Sequence, residues 1–234
     1  MEINNRNVIA FQIIKNAKKL YDSDTRKTPA FLDLDTYFPE YKILEENWET
    51  MRDEILQVLE ESTVPQFHEI DSGQEFISNN DNKAWNVFVV KCYGMWLHRN
   101  AEKCPKTCAL FKDMKHVKTI NFSILAPGKY IPPHEGPYKG IIRYQLPLEV
   151  PKKGECYIIV DGRRHYWNDG ESVLFDDTYT HEVHNKTDER RIALLLDIKR
   201  DDLNTPMRIF DWFYYKLFQA YIIAFGGLKK GKVD

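Results

Sequence analysis

The second half of the chain alternates between apolar and polar residues with a period of two, and this pattern constrains the fold more than any other feature. A period of two is typical of β-strands that bury one face. From Lys118 onward it recurs in KTINFSILA, GIIRYQLPLEV, ECYIIV, RRHYW, ESVLFDD and RRIALLLDI. Turn signals separate these segments, and the pairs Asp161-Gly162 and Asp169-Gly170 predict hairpin turns. Many short strands at regular spacing favour a double-sheet jelly roll over alternating β–α units.

Helical patterns lie on both sides of these strands. Apolar residues recur at helical spacing in 8–21 and 43–59, and CPKTCALFKDMK indicates a short helix entered through Pro105. NKAWNVFVVKCYG predicts a further strand, and TPAFLDLDTYFPEY a short extended piece. The fold class is therefore mainly β with flanking helices, in a single domain over 1–234. Its parts are an N-terminal helical region over 1–66, a jelly-roll core over 67–205 and a C-terminal amphipathic helix over 206–234.

Composition excludes several classes of protein. Apolar residues make up 43% of the chain and charged residues 29%, as is usual for a globular protein. A formal net charge of -2 gives no basis for a nucleic-acid partner. Four cysteines are too few for a disulfide scaffold, so we expect reduced thiols. The N-terminal segment lacks the cleavage site of a signal peptide, and we therefore expect a cytoplasmic location.

Two histidines stand at strand boundaries, where a metal ligand would be well placed. His134 follows Pro-Pro and precedes a strand, and His181 opens the segment HEVHN. Neutral imidazole is a common ligand for divalent metals. In the commonest iron-binding version of the pattern at His134, the residue two positions later is Asp or Glu, whereas this chain has Gly136. Two histidines alone leave two interpretations open: metal ligands, or chance surface or core residues.

Two arginines on predicted strands bear on whether the two histidines bind a metal. Arg143 lies on the strand after His134, and Arg191 opens the last strand. A buried arginine is costly unless its guanidinium meets a carboxylate. Arg191 either pairs at the surface with Asp176, Asp177 or Glu189, or points into a pocket and holds a small dicarboxylate on a metal.

The region from Ile120 to Asp197 resembles the aspartyl/asparaginyl β-hydroxylase family of iron(II)- and 2-oxoglutarate-dependent dioxygenases. The resemblance is carried by FSILAPG, HEGPYKGIIRYQLPL, YIIVDGRRHYWNDGE and FDDTYTHEVHNKTDERR. It implies a double-stranded β-helix fold. It also implies Fe(2+) as the cofactor, with 2-oxoglutarate and O2 as co-substrates. It also implies that His134 and His181 bind iron, because they match the family's two iron-binding histidines.

The same resemblance assigns the 2-oxoglutarate contacts. Arg191 matches the arginine that holds the distal carboxylate, and Ser123 matches the hydroxyl that assists it. Arg143 matches an arginine beside the other end of the co-substrate, and it is counted with the two histidines as a catalytic candidate. Gln145 stands where the family usually has histidine, and its amide would donate a hydrogen bond to a carboxylate.

Glycine at position 136 also agrees with the resemblance, since the family binds iron through two histidines and no carboxylate. Glu135 does not replace the missing ligand, because neighbouring strand residues point to opposite faces. A vacant position at the metal also has room for chloride, which leaves halogenation as an alternative to hydroxylation.

Other residues have simpler interpretations. Four large side chains are predicted to lie in the core: Tyr144, Leu146, Trp167 and Phe175. Asp176 and Asp177 either orient His181 by a hydrogen bond or form the turn before it. His165 and His184 are predicted to lie at the surface.

The C-terminal segment PMRIFDWFYYKLFQAYIIAFGGLKKGKVD predicts an amphipathic helix, with Arg208, Asp211, Lys216 and Gln219 on one face. With the lysines 229, 230 and 232 behind it, the helix either lies on a membrane surface or packs on the jelly roll or on a second copy in a homodimer. We favour the packed helix, because a wide apolar stripe is usually buried.

The predicted activity is hydroxylation of an unactivated carbon, with the β-carbon of an aspartyl or asparaginyl residue or a related amino acid as the first substrate class. A fatty-acyl chain of a lipid is the second, because LDLDTYFPEYKILEENWETMRDEI and KRDDLNTPMR are similar to the lipid A hydroxylases of the wider family. A non-catalytic jelly roll that binds a ligand is the alternative of another class.

Overall fold

The chain forms two antiparallel sheets and a layer of helices in a computed structural model that describes residues 28–136, 139–224 and 231–233. The helix expected over 8–21 lies outside these residues. The strands are β1 Trp85–Cys92, β2 Met95–Trp96, β3 Val117–Leu125, β4 Tyr130–His134, β5 Ile141–Glu149, β6 Glu155–Val160, β7 Arg163–Tyr166, β8 Val173–Phe175, β9 His181–Lys186 and β10 Arg191–Lys199. The jelly-roll class predicted from the period-two segments is confirmed.

Helices precede the strands, lie between them and, in α8, follow the last strand. The helices are α1 Leu34–Tyr37, α2 Tyr41–Glu46, α3 Trp48–Glu61, α4 Phe67–Ile70, α5 Glu75–Ser78, α6 His98–Ala101, α7 Pro105–Leu110 and α8 Thr205–Ala224, with a 3₁₀ turn at Ser72–Gln74. Pro105 opens α7, as its fixed φ favours. Within the described ranges, no helix combines the length and the apolar character that crossing a bilayer requires.

Two hydrophobic cores lie on opposite faces of the larger sheet. That sheet has the order β2-β1-β3-β10-β5-β8, and the smaller one has the order β4-β9-β6-β7. One core joins the outer face of the larger sheet to α3, through residues such as Met51, Phe122 and Leu194. The other fills the space between the sheets, with Val87 and Val183 from opposite sides. Period-two alternation therefore places every second strand residue of the larger sheet in the space between the sheets.

The two Asp-Gly turns differ in what they connect. Asp161 and Gly162 have φ of 51° and 72°, and they join the paired strands β6 and β7 as a two-residue hairpin. Gly170 also has a positive φ, but β7 belongs to the smaller sheet and β8 to the larger one. The hairpin predicted at Asp169-Gly170 is therefore wrong: the turn carries the chain from one sheet to the other.

The segment before the first long helix is only partly extended. Phe31 bridges to Phe175, and Leu32 donates a backbone hydrogen bond to Leu174, so this part adds to the sheet edge as expected. The chain then turns into α1, because the Asp33 carboxylate accepts a hydrogen bond from the Thr36 amide and caps the helix. The prediction of an extended piece is wrong for α1.

Candidate active site

Two histidines meet at the ends of neighbouring strands of the smaller sheet. His134 ends β4, His181 begins β9, and the two are register partners with ring centroids 4.1 Å apart. The Nδ1 of His134 lies 2.8 Å from the Pro132 carbonyl oxygen, and that of His181 lies 2.9 Å from the Tyr179 carbonyl oxygen. A ring nitrogen this close to a carbonyl is the protonated one. Each Nε2 is then left with a lone pair.

Both imidazoles are held in their neutral form. Burial lowers the pKa of His134 below its usual value, and burial together with the charge of His134 lowers the pKa of His181 to about 3. Neutral imidazole with a free Nε2 is the form that binds a divalent metal. The donor set therefore fits the iron(II) that the resemblance implies.

The position two residues after His134 is closed by a carboxylate from another loop. The Gly136 amide donates a 2.7 Å hydrogen bond to the Asp177 carbonyl oxygen. A Cβ at Gly136 would lie 2.7 Å from Asp177 Oδ1 and closer still to Cγ and Oδ2. Only glycine fits there without displacing Asp177. No group of three His, Cys, Asp or Glu side chains with metal-binding geometry occurs in the part of the chain that the structure describes.

Arg143 lies between two carboxylates at the same end of the space between the sheets. Its Nη2 is 3.1 Å from Asp177 Oδ2, and its Nε is 2.8 Å from Asp197 Oδ1. Burial opposes the charge of Arg143, but Asp197 and Asp177 together raise its pKa. Burial raises the pKa of Asp177 to about 7 against the pull of Arg143. Both carboxylates share one guanidinium, so the charge of Arg143 is already balanced within the protein.

Arg191 has the opposite environment. Its side chain is only 2% exposed, it lies 4.1 Å above the Trp167 ring, and its Nη1 donates a 3.4 Å hydrogen bond to Ser123 Oγ. Burial lowers its pKa to about 10, so it keeps its charge at neutral pH. No carboxylate among the described residues pairs with it. The surface ion pair considered for Arg191 is wrong, and it is Arg190 that pairs with Glu149, at 2.7 Å.

The four sequence-predicted site residues of the larger sheet lie on its inner face. On β10, every second residue from Arg191 to Asp197 points between the sheets. Ala193 pairs with Ser123, Leu195 with Gln145, and Asp197 with Arg143. The structure therefore brings Arg191, Ser123, Gln145 and Arg143 into one row, which faces the smaller sheet and its two histidines.

Several buried polar atoms along this row lack a partner within the described ranges. They are Gln145 Oε1, Trp167 Nε1, Asp177 Oδ1 and Arg191 Nε. Most buried polar groups in folded proteins are hydrogen-bonded, and exceptions often mark a ligand site. Two of these atoms, Arg191 Nε and Trp167 Nε1, carry hydrogens, and a carboxylate is the acceptor that would satisfy them; Gln145 Oε1 and Asp177 Oδ1 are acceptors and need a donor. The residues around Arg191 thus fit one carboxylate of 2-oxoglutarate, as the two histidines fit the metal.

Other side-chain expectations are settled by the same contacts. Tyr144, Leu146, Trp167 and Phe175 are buried as predicted, although Trp167 also forms the wall under Arg191. Of the two roles considered for Asp176 and Asp177, the turn before His181 is the observed one, because the Nδ1 of His181 faces a carbonyl instead. His165 and His184 are half-buried and not at the surface; His184 stacks on Tyr157 at 4.7 Å.

Asp197 is the site residue that sequence reasoning missed. It is enclosed in the apolar run RIALLLDI, which hides a charged residue from a search for polar motifs. Counting in steps of two from Arg191 reaches Asp197 and would have placed it on the inner face.

Comparison with known proteins gives one family and several relatives. The model of the family described as Aspartyl/Asparaginyl beta-hydroxylase matches residues 45–201. The chain is 34% identical over 177 residues to an ornithine lipid ester-linked acyl 2-hydroxylase of Rhizobium tropici, covering 75% of this chain and 62% of that protein. It is 30% identical over 175 residues to the aspartyl/asparaginyl beta-hydroxylase of Homo sapiens, covering 71% of this chain and 22% of that protein.

The solved structures match a smaller part of the chain. A crystal structure of a predicted oxalate decarboxylase from Thermotoga maritima is 17% identical, with a TM-score of 0.31, and covers 37% of this chain and 70% of that one. The strand order and register above define the fold without it. The chain spans less than two thirds of the length of both curated relatives.

Proposed function

Because the chain belongs to the aspartyl/asparaginyl β-hydroxylase family, we propose that it is an iron(II)- and 2-oxoglutarate-dependent hydroxylase of an unactivated carbon. The observation that carries the proposal is Arg191, a buried cation on the inner face of the larger sheet that lacks a carboxylate among the described residues. An uncompensated buried charge is strongly destabilising unless a ligand completes it. A dicarboxylate co-substrate would complete it.

In this proposal, different side chains bind the metal and the co-substrate. Nε2 of His134 and of His181 would hold the metal, and their carbonyl partners fix each ring and its tautomer. Arg191 and Ser123 would bind the distal carboxylate of 2-oxoglutarate, and the amide of Gln145 lies further along the same row. When bound, iron(II) with 2-oxoglutarate and O2 supplies the oxidising power that converts a C–H bond to an alcohol, with succinate and CO2 as the other products.

The carboxylate of Asp177 argues against halogenation. The space beside Gly136 that would have to accept chloride is occupied by this carboxylate. Chloride could enter this space only if the carboxylate moved away. Hydroxylation is therefore the proposed outcome.

Two substrate classes follow from the family and its relatives. The first is an aspartyl or asparaginyl side chain or a related amino acid. The second is a lipid acyl chain, the substrate class named for the Rhizobium tropici relative. The balanced charge of Arg143 favours the second class, because this arginine would otherwise be the residue available to attract an acidic side chain.

The test is oxygen-dependent succinate release with iron(II), with an asparaginyl peptide, free aspartate and an acylated lipid offered in turn. We expect release with at least one substrate, and its loss in His134→Ala and His181→Ala. His184→Ala is the matched control, since His184 stacks on Tyr157 away from the row and should keep activity. A protein that binds no iron-group metal, and that 2-oxoglutarate does not stabilise, is a ligand-binding module, and the proposal then fails.

A further inference from the structure

A surface helix usually turns its apolar side to the protein and its polar side to solvent, but helix α8 exposes much of its apolar side. Five large apolar side chains on its outer face are 52–63% exposed: Ile209, Trp212, Phe213, Leu217 and Ile223. They recur at helical spacing and form one stripe over four turns, which we call the outer stripe. Of residues 209–223, Lys216 is the one charged residue on this side of the helix, so the outer side carries no acidic residue in this range. A run of exposed apolar residues of this size marks an interaction surface.

Two polar residues of α8, Asp211 and Gln219, point towards the protein, whereas Arg208 and Lys216 are exposed. Asp211 is 2% exposed and lies 3.5 Å from the Lys199 ammonium. Gln219 donates a 2.6 Å hydrogen bond to the Tyr93 carbonyl oxygen. Among the described side chains, Met207 and Tyr214 are buried and the outer stripe is exposed, so the expectation that this stripe packs on the jelly roll is wrong. Packing on a second copy in a homodimer stays a prediction.

A basic cleft borders the outer stripe. Its lining includes Lys118, Lys199 and Lys216 together with Trp212, against the single acid Asp211. Burial lowers the pKa of Lys118, and the charges of Lys199 and Lys216 lower it further, while Asp211 opposes them. The stripe and the cleft together offer an apolar surface with positive charge at its margin. That combination is complementary to an anionic bilayer, where lysines contact headgroups and aromatic side chains enter the interface.

The cleft lies towards the end of the space between the sheets that carries Arg143, His134 and His181, which we call the metal end. Lys199 pairs with Ile141, and two residues along the same strands Asp197 pairs with Arg143. Two residues of a strand span about 7 Å. On the inner side of the helix, the Tyr215 ring lies 6.0 Å from the ring of Tyr93. A surface docked on the outer stripe would therefore lie near the end of β5 and β10 that carries Arg143 and Asp197.

A second copy of the chain is a poorer occupant of the outer stripe than a bilayer. A twofold dimer pairs the same patch on both subunits. Lys216 lies midway between Ile209 and Ile223, so antiparallel pairing of two stripes would bring Lys216 against Lys216 of the copy. Like charges in contact at an apolar interface are unfavourable. At a bilayer, the aliphatic part of the Lys216 side chain lies against the apolar region and its ammonium group contacts the headgroups.

We propose that α8 docks the protein on anionic phospholipid bilayers through the outer stripe and the basic cleft, and so presents the metal end to the acyl chain of a membrane lipid. The part of this proposal that names a lipid substrate rests on the proposed hydroxylase function, whereas the part that names membrane docking does not. Docking needs neither iron nor 2-oxoglutarate, so vesicle binding and succinate release can fail independently of each other.

The experiment is co-sedimentation of the full chain with vesicles of phosphatidylcholine mixed with phosphatidylglycerol, compared with phosphatidylcholine alone. We expect binding to the anionic vesicles that weakens as salt is raised. Phe213→Ser should weaken it about tenfold or more, since a large apolar side chain no longer enters the interface. Lys216→Gln should weaken it about fivefold and reduce its dependence on salt. Phe76→Ser is the matched control, because Phe76 is 65% exposed on α5 and should leave binding unchanged.

Three results would overturn the proposal. The first is a full chain that ignores anionic vesicles. The second is binding that Phe213→Ser and Phe76→Ser reduce equally. The third is a dimer, seen by sedimentation velocity in the absence of lipid, that Phe213→Ser converts to a monomer, which would assign the outer stripe to a second copy. A blue shift of tryptophan fluorescence on anionic vesicles that Trp212→Phe removes would place the stripe itself in the interface.

Discussion

Arg191 carries a positive charge in an interior where its Nε makes no hydrogen bond within the described residues and its ring neighbour is Trp167. We expect Arg191→Ala to weaken 2-oxoglutarate binding by about 2–5 kcal/mol, because a charge-assisted contact with a buried carboxylate is lost. Arg191→Lys should recover only part of this, since an ammonium does not match the carboxylate geometry. Calorimetric titration of the metal-loaded protein measures both.

Arg190→Ala is the control for that measurement. Arg190 is the adjacent residue, but it pairs with Glu149 at the surface, and exposed ion pairs contribute about 1 kcal/mol or less to stability. Its loss should leave 2-oxoglutarate binding unchanged. Equal affinity in Arg191→Ala and Arg190→Ala would place the co-substrate elsewhere.

Gly136 and Asp177 occupy one another's space. We expect Gly136→Ala to lower the free energy of unfolding by about 1–3 kcal/mol, because the new methyl group meets the Asp177 carboxylate. In an Asp177→Ala background the same change should cost much less, giving a coupling energy of about 0.5–3 kcal/mol. Urea unfolding of the wild type, the two single variants and the double variant measures this coupling energy as a double-mutant cycle. Effects that simply add would show that the carboxylate does not fill this space.

At the scale of an element, the two Asp-Gly turns allow a matched comparison. Gly162 and Gly170 have nearly equal φ, 72° and 76°, but a Cβ at Gly162 meets nothing within 4 Å, whereas one at Gly170 would lie 2.8 Å from Trp48 Cδ1. Gly162→Ala should cost about 1 kcal/mol of stability from backbone strain alone. Gly170→Ala should cost a further 1–3 kcal/mol or so from overpacking.

Thermal unfolding distinguishes these two contributions. In a Trp48→Leu background, the difference between Gly162→Ala and Gly170→Ala should shrink, because the ring that the new methyl group meets has gone. A difference that persists without Trp48 would assign the extra cost to the turn itself.

The strands were the most predictable elements, and the reason is local. Each strand of the core carries its period of two within a few residues, and His134, His181 and Arg191 stand at strand ends where that period begins or stops. The family resemblance then supplied the proposed roles of Ser123 and Gln145, which periodicity alone could not assign.

Features that depend on partners distant in sequence were not predictable in this way. The Asp169-Gly170 dipeptide encodes a turn, but which sheet receives the next strand depends on packing over the whole domain. The environment of Arg143 depends on Asp177 and Asp197, which are 34 and 54 positions away. The direction of α8 was also misjudged, because amphipathicity gives two faces and does not say which one meets the protein.

At the scale of the whole molecule, Arg200 connects segments from distant parts of the chain. Its Nη1 donates a 2.6 Å hydrogen bond to Asp176 in the turn before His181, and its Nη2 donates to Thr28 near the start of the described residues and to Asp202 beyond the last strand. Arg200→Ala would leave the buried Asp176 without its cation, and we expect it to destabilise the fold by about 3–5 kcal/mol.

Denaturant unfolding followed by fluorescence measures the Arg200 effect. Arg52→Ala is the comparison, since Arg52 pairs with Asp53 at the surface and its loss should cost less than about 1 kcal/mol. A cost for Arg200→Ala no larger than that for Arg52→Ala would mean that the three segments are held together by packing alone.

The residues on either side of α8 also return to the body of the protein. After the helix, Asn100 donates to the Gly231 carbonyl oxygen at 2.8 Å and accepts from the Val233 amide at 3.0 Å, and Val233 is buried. Before it, Leu203 is buried. An arm attached at one end would let a domain tumble above a bilayer, whereas contacts with the domain both before and after the helix, at Leu203 and Val233, restrict the domain's tilt. If α8 docks as proposed, the protein keeps lateral diffusion and rotation about the bilayer normal, and the candidate site stays at constant depth.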